Sequence, residues 1–306
     1  MKKKIIYTLL IVLIILGIGS VLISKYVLPY AIIQPPKVSL DITPSDLKLN
    51  YSELDILTKD SIKLKGYWIK TDSIPPKSIV IFVHGIGGCK EHFLDLSKNL
   101  TEIGIESIIM DSRAHGKSEG QFCTYGYKEK EDISSIVNYI KNKNDSIPIG
   151  IWGNSMGGAI AIQALEHDSR IEFGIVESTF TTLNDIVYDY QKAKTYGIGL
   201  SFLCNIALNE AGELGQFKPD QVSPISSVKH IEQPMLIAHG DHDENIKFEY
   251  GKLLFENLKS TNKKFIAVKN GGHFDLSQKG GNSYKQAIKN FLVMNSKQLQ
   301  KSSKSP

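Results

Sequence analysis

The stretch IPIGIWGNSMGGAIAIQAL, residues 147–165, decides how this chain is read. Its first part, Ile147 to Trp152, is the apolar run of a strand covered on both faces, and its second part is an Ala- and Ile-rich helix. Between them Gly153, Ser155 and Gly157 form a Gly-x-Ser-x-Gly pattern. A sharp strand-to-helix turn there lifts the hydroxyl clear of the sheet, the glycines let neighbouring backbone approach it, and the helix start offers N–H dipoles to an oxyanion. An ordinary serine N-cap has the same local signature. The pattern recurs at Gly116, Ser118 and Gly120, but inside the polar stretch DSRAHGKSEGQ with no helix start behind it, where glycines suit turns.

Outward from this segment, apolar strands and amphipathic helices alternate. SIVIFVHG, IESIIM, EFGIVES, PMLIAHG and KKFIAVKN read as strands; EHFLDLSKNLTEI, YKEKEDISSIVNYIKNK, FEYGKLLFENLKS and SYKQAIKNFLVMN read as helices. Residues 47–70 add two or three strands, with alternation in IKLKGYWIK. The rhythm predicts an α/β fold with a mostly parallel, doubly wound sheet. It lapses over about 179–228, a stretch with helical patches and many aromatics, which predicts an inserted cap. The domain therefore runs over 47–296, after a Pro-punctuated linker over 25–46 and before a polar tail over 297–306.

The chain's first residues are unlike the rest. A basic start (residues 1–4) precedes Ile5 to Ser24, which carry no charge. Twenty helical residues span about 30 Å, the thickness of a bilayer's hydrocarbon layer. No polar face exists to turn outward from a protein core, and no small-residue cleavage site follows, so residues 5–24 read as an uncleaved transmembrane signal anchor rather than a cleaved signal of a secreted protein. The lysines before it favour a cytoplasmic N-terminus and an extracytoplasmic domain. Lys2, Lys3, Lys4 and Lys25 account for the whole excess of 36 basic over 32 acidic side chains. The remainder is neutral and lacks the clustered cations that nucleic-acid binding needs.

A serine is a poor nucleophile without a base, and the base needs an orienting acid. In this kind of sheet the order along the chain is Ser, acid, His. His273, in GGHFDL, follows an apolar strand behind two glycines; Asp243 and Asp241, in HGDHDEN, follow another, and Glu177 ends a third. At this level Asp243, Asp241 and Glu177 all stand as the acid, and either aspartate also suits a helix cap. Two backbone N–H donors are needed for the oxyanion: Met156, directly after the serine, and Ile86, in the glycine loop HGIGG at 84–88. The cluster HGDHD at 239–243 has no HExxH or second histidine-rich segment beside it, so no metal is expected, and Cys89, Cys123 and Cys204 read as small buried hydrophobes.

In order, HGIGG (84–88), DSRAHGKSEG (111–120), GNSMGG (153–158), HGDHDEN (239–245) and GGHFD (271–275) resemble the motifs of the α/β-hydrolase superfamily, over about Leu47 to Val293. The likeness is strongest to its serine-hydrolase branch of monoglyceride-lipase-like and serine-aminopeptidase-like acyl hydrolases. It implies an α/β-hydrolase fold, Ser155 as nucleophile, His273 as base and Asp243 as the acid of a His-Gly-x-x-Asp pattern. It also makes Asp111, Arg113, Gly116 and Ser118 a structural turn. One departure is Asn245-Ile246-Lys247, where the family often has Val-Pro.

The resulting expectation is a membrane-anchored serine hydrolase that cleaves a carboxylic ester or thioester through an acyl-enzyme, with no cofactor and no nucleic-acid partner. Phe180, Tyr188, Tyr190, Tyr196, Phe202 and Phe217 of the cap either line a site for a lipid-like acyl group or pack the cap onto the sheet. A serine peptidase or amidase of the same fold is the rival chemistry, and an idle binding module the rival class.

Overall fold

The apolar runs become strands whose residues alternate between two hydrophobic layers, as a side-chain period of two requires. A computed structural model describes residues 2–72 and 74–296; the expected polar tail, and Met1 of the basic start, lie outside them. In chain order the elements are α1 (Lys2–Tyr26), α2 (Leu28–Ile33), β1 (Asn50–Leu57), β2 (Lys63–Lys70), β3 (Ser78–Val83), α3 (Leu94–Thr101), β4 (Ile105–Met110), α4 (Glu129–Lys143) and β5 (Ile149–Asn154). There follow α5 (Met156–His167), β6 (Phe173–Glu177), α6 (Leu183–Lys194), α7 (Ser201–Gly215), α8 (Pro224–Ser227), β7 (Met235–Gly240), α9 (Phe248–Asn257), β8 (Lys263–Val268) and α10 (Leu276–Asn295).

The sheet order is β1-β2-β4-β3-β5-β6-β7-β8. Strand β2 is antiparallel to both β1 and β4, and every other pairing is parallel. On β3, Ile79, Ile81 and Val83 join the layer with Ile133, Ile136 and Ile140 of α4 and Ile160 of α5, while Val80 and Phe82 join the layer with Leu94 of α3 and Phe291 of α10. This two-sided cover is why the strand sequences are apolar throughout rather than alternating. The expected α/β-hydrolase architecture is therefore the observed one.

Chain direction reverses across the sheet at β3. From β3 the chain goes through α3 to β4 on one side, then returns through α4 to β5 on the other, so the loops leaving β3 and β5 diverge and open a crevice. Val83 pairs with Gly153 across that point, which sets the HGIGG loop beside the Gly-x-Ser-x-Gly turn.

Residues 25–46, expected as a linker, are in part built into the domain. Ile33 of α2 is fully buried, its carbonyl accepts from Cys123 N–H at 2.8 Å, and Ile32 O accepts from the Tyr125 hydroxyl at 2.5 Å. The 179–228 stretch forms α6, α7 and α8, with α6 capped by Thr182 Oγ1 accepting from Asp185 N–H at 3.0 Å. Helix α1 is apolar and long enough to cross a membrane.

A buried ring ties the loops together. His84 Nε2 accepts from Ser112 N–H at 3.0 Å, which leaves the proton on Nδ1 to donate to Gly85 O at 2.8 Å. Burial, followed by the neighbouring His115 ring, pulls the His84 pKa down from 6.5 to about 4. The folded protein thus resists a proton that the unfolded chain accepts near pH 6.5, so stability is full above that value and declines as pH falls toward 4. Over pH 7 to 5 this one ring contributes a loss of about 2 kcal/mol. Urea unfolding of His84→Asn across that interval is expected to show a pH dependence flatter by about that amount; equal slopes for variant and parent would contradict the assignment.

Candidate active site

Ser155 sits between β5 and α5 with φ 55° and ψ −123°, a conformation that L-residues avoid. Such a backbone costs on the order of 1–3 kcal/mol and persists only where its surroundings enforce it. Here Ser155 N–H donates to Glu177 O at 2.9 Å, and Ser155 O accepts from Thr179 Oγ1 at 2.7 Å. The glycines are required by space: a Cβ on Gly153 would lie 2.1 Å from Gly157 O, and one on Gly157 2.0 Å from Val83 O. The turn leaves the hydroxyl with no hydrogen-bond partner among the described residues.

The other Gly-x-Ser-x-Gly serine is committed elsewhere. Ser118 is buried, its Oγ donates to Asp111 O at 2.6 Å and accepts from Lys65 N–H at 2.9 Å. Asp111 anchors the same turn by accepting from Lys90 Nζ and Lys90 N–H, both at 2.8 Å, and from Lys117 N–H at 2.9 Å. Arg113 Nε donates to Asp132 at 2.7 Å and its Nη1 to Asp60 at 2.9 Å. This turn is framework.

The three candidate acids separate cleanly. Asp243 Oδ2 lies 2.8 Å from His273 Nδ1, and its Oδ1 accepts from the N–H groups of Asn245 and Ile246, each at 2.9 Å. Burial opposes its charge, but the hydrogen bonds of His239 and His273, the charge of His273 and the Ile246 N–H outweigh it and hold the carboxyl well below the usual carboxylate range. An ionised carboxylate only accepts, so His273 donates Nδ1–H to it, and in the neutral ring this tautomer puts the lone pair on Nε2. Among the described residues Nε2 makes no hydrogen bond. Asp241 instead faces His242 and Asn270 N–H at the surface. Glu177 accepts from Trp152 Nε1 at 3.1 Å and from the Tyr284 hydroxyl, with burial raising its pKa.

Ser155, Met156 and Ile86 line one cavity of about 580 Å³, together with Ile246 from the Asp243 loop. Gly85 approaches the serine so closely that an added Cβ would lie 3.2 Å from Ser155 Cβ. The main-chain N–H groups of Ile86 and Met156 have no acceptor among the described residues. Of the six cap aromatics, Phe180 and Tyr190 line the cavity. Phe217 is buried beside Tyr127 with ring centroids 6.1 Å apart, Tyr188 lies against Gly199, and Tyr196 and Phe202 are exposed.

Several contributors carry little signal in the sequence. His239, the first residue of HGDHDEN, directs Nε2 at Ile246 O at 3.0 Å and lies 3.4 Å from Asp243 Oδ2, so it braces the carboxylate from behind. Its position at the end of an apolar strand was the available signal. Thr179 carried none, because its bond to the serine carbonyl spans 24 residues. The cavity also takes Ser20, Ile23 and Ser24 from α1, where hydrophobicity alone marked a membrane segment.

Comparison with known proteins agrees with this architecture. A family model described as serine aminopeptidase, S33, matches residues 74–197. The uncharacterized protein YqkD of Bacillus subtilis is 29% identical over 232 residues, covering 75% of each chain. The lysophosphatidylserine lipase ABHD12 of Danio rerio is 26% identical over 199 residues, 62% of this chain, which spans only 49% of that relative's length. Among solved structures, the Pyrococcus furiosus esterase Pf2001 superposes with a TM-score of 0.72 at 26% identity, covering 86% of this chain and 98% of the esterase. The eight-stranded sheet and strained serine turn are those of an α/β-hydrolase fold, and the matches are to serine hydrolases of the α/β-hydrolase superfamily.

Proposed function

We propose that this chain is a membrane-tethered serine esterase acting on lipid-like acyl esters through Ser155, His273 and Asp243. The observation that carries the proposal is Ser155 itself: a hydroxyl held in a disfavoured backbone conformation, without a hydrogen-bond partner, on the wall of an apolar cavity. In the mechanism Ser155 Oγ attacks the acyl carbon as its proton passes to His273 Nε2, and Asp243 steadies the imidazolium that forms. The N–H groups of Ile86 and Met156 take the oxyanion. Collapse breaks the bond to the alcohol, which leaves with the proton from His273. Water then attacks the acyl-enzyme, His273 accepts its proton, and release of the acid returns that proton to Ser155. Every group the cycle uses belongs to the protein, the substrate or water.

Ester rather than aminopeptidase chemistry follows from the cavity wall. A free amino-terminus needs a carboxylate to receive its ammonium group, and the described lining has Lys194 but no Asp or Glu. Helix α1 supports the tether, with the domain on the extracytoplasmic side of a membrane crossed once.

The test compares p-nitrophenyl esters of short and long acids with aminoacyl p-nitroanilides, using full-length protein in detergent. Long-chain esters are expected to exceed the anilides in kcat/KM by well over tenfold; the opposite order would replace the esterase with a peptidase. Asp243→Asn is expected to lower kcat by roughly 10³–10⁴, since the imidazole would lose its oriented tautomer. Asp241→Asn, which alters a surface contact, is expected to stay within about twofold of the parent. Equal losses in the two variants would remove Asp243 from its role.

A further inference from the structure

The cavity that Ser155 lines is walled in part by the chain's own N-terminal helices: Ser20, Ile23 and Ser24 of α1, and Leu28, Ala31 and Ile32 of α2. Helix α1 is exposed from Lys2 to Ile18; beyond that Gly19 is half-buried and Ser24 buried, while Ser20, Val21, Leu22 and Ile23 between them remain exposed. Its end is fixed, because Val27 N–H continues onto Ile23 O at 2.9 Å, Lys25 lies 3.6 Å from Glu210 of α7, and α2 is locked into the domain through Ile33.

Length then constrains where the domain sits. At 1.5 Å per residue the uncharged, exposed stretch 5–18 spans about 21 Å, which is about 9 Å short of a ~30 Å hydrocarbon layer. The remaining depth is supplied by residues 19–24, of which Ser20, Ile23 and Ser24 line the cavity while Val21 and Leu22 stay exposed. Whatever adjoins them must lie at the same depth. Thr195 and Lys194 line the same cavity as Ser20, and the turn that follows them exposes Tyr196, Ile198, Leu200 and Phe202 within seven residues. Scattered exposed apolar residues are normal, but four large ones on one tip need a covering phase. Lys192 and Lys194, just before the tip, are placed to keep their ammonium groups among headgroups while the tip goes deeper.

We propose that the cap tip 196–202 is immersed in the leaflet that holds the end of α1, and that acyl esters pass sideways from this leaflet into the cavity between α1 and the tip. The occupant of the apolar tip is thus lipid, because it continues the exposed surface of α1 that only lipid covers. Helix α1 becomes a positioning wall for the acyl chain as well as a tether. The proposal rests on the esterase reading for its substrate, but its membrane contact is measurable without catalysis.

Two measurements on full-length protein in phosphatidylcholine vesicles test it. In Tyr196→Trp, fluorescence is expected to be quenched at least twofold more than in the parent, whose tryptophans Trp68 and Trp152 lie in the sheet, by lipids brominated near the carbonyl end of the chain. In Ser20→Trp, the ratio of vesicle-borne palmitoyl ester hydrolysis to water-soluble butyrate ester hydrolysis is expected to fall at least tenfold. Quenching equal to the parent's overturns the immersed tip, including the case in which the tip is covered by a second copy of the chain. An unchanged ratio in a folded Ser20→Trp protein overturns the lateral path. Should the parent hydrolyse neither ester, the esterase reading and the lateral path fall together, while the quenching result still decides the immersed tip.

Discussion

The backbone of Ser155 is the constraint on which the rest of the site depends. A residue held at φ 55° and ψ −123° is stable only if its neighbours leave it no alternative. The sheet provides the enforcement: Glu177 O on β6 holds its N–H, Thr179 holds its carbonyl, and Val83 at the end of β3 presses against Gly157. The contacts come from two places in the sheet, the end of β3 and the end of β6 with the residues just after it. Strand order, register and the missing side chains of Gly153 and Gly157 therefore act together, and the unpartnered hydroxyl on the cavity wall is the product of their agreement.

Charge is arranged around that turn in two tiers. Asp243 is buried but ionised, because His239, His273 and the Ile246 N–H satisfy it from three sides. Next to the HGIGG loop, Lys90 joins Asp111 at 2.8 Å and Glu91 at 2.7 Å in a buried cluster, and Arg113 holds the neighbouring turn. Buried ion pairs of this kind give little net stability against an apolar core, but breaking one side leaves an uncompensated charge. Their effect here is to fix where the loops of β3 and β4 go. The neutral His84 ring links those two loops directly.

Much of this was legible in the sequence, for local reasons. Continuous apolar runs marked β3 to β7, since strands covered on both faces need no polar side, and the small residues around Ser155 marked the turn. The order of Ser155, Asp243 and His273 could be read because each follows an apolar strand. The choice among Asp243, Asp241 and Glu177 was not a local property: it depends on which carboxylate the fold carries to His273, and Glu177 is instead held by Tyr284, 107 residues away. The cap aromatics failed to separate for the same reason, with Phe180 and Tyr190 reaching the cavity and Phe217 packing inward. Least legible was α1, whose uniform hydrophobicity concealed that Ser20, Ile23 and Ser24 on its last turns line the cavity beside Ser155.

The central claim is that the strained turn presents Ser155 as an activated nucleophile. The most direct measurement is to treat the full-length protein with a fluorophosphonate and map the adduct by mass spectrometry. The account predicts one phosphonyl group, on the peptide containing Ser155, with esterase activity lost in proportion to its formation. A folded protein that hydrolyses esters while Ser155 remains unmodified would contradict it.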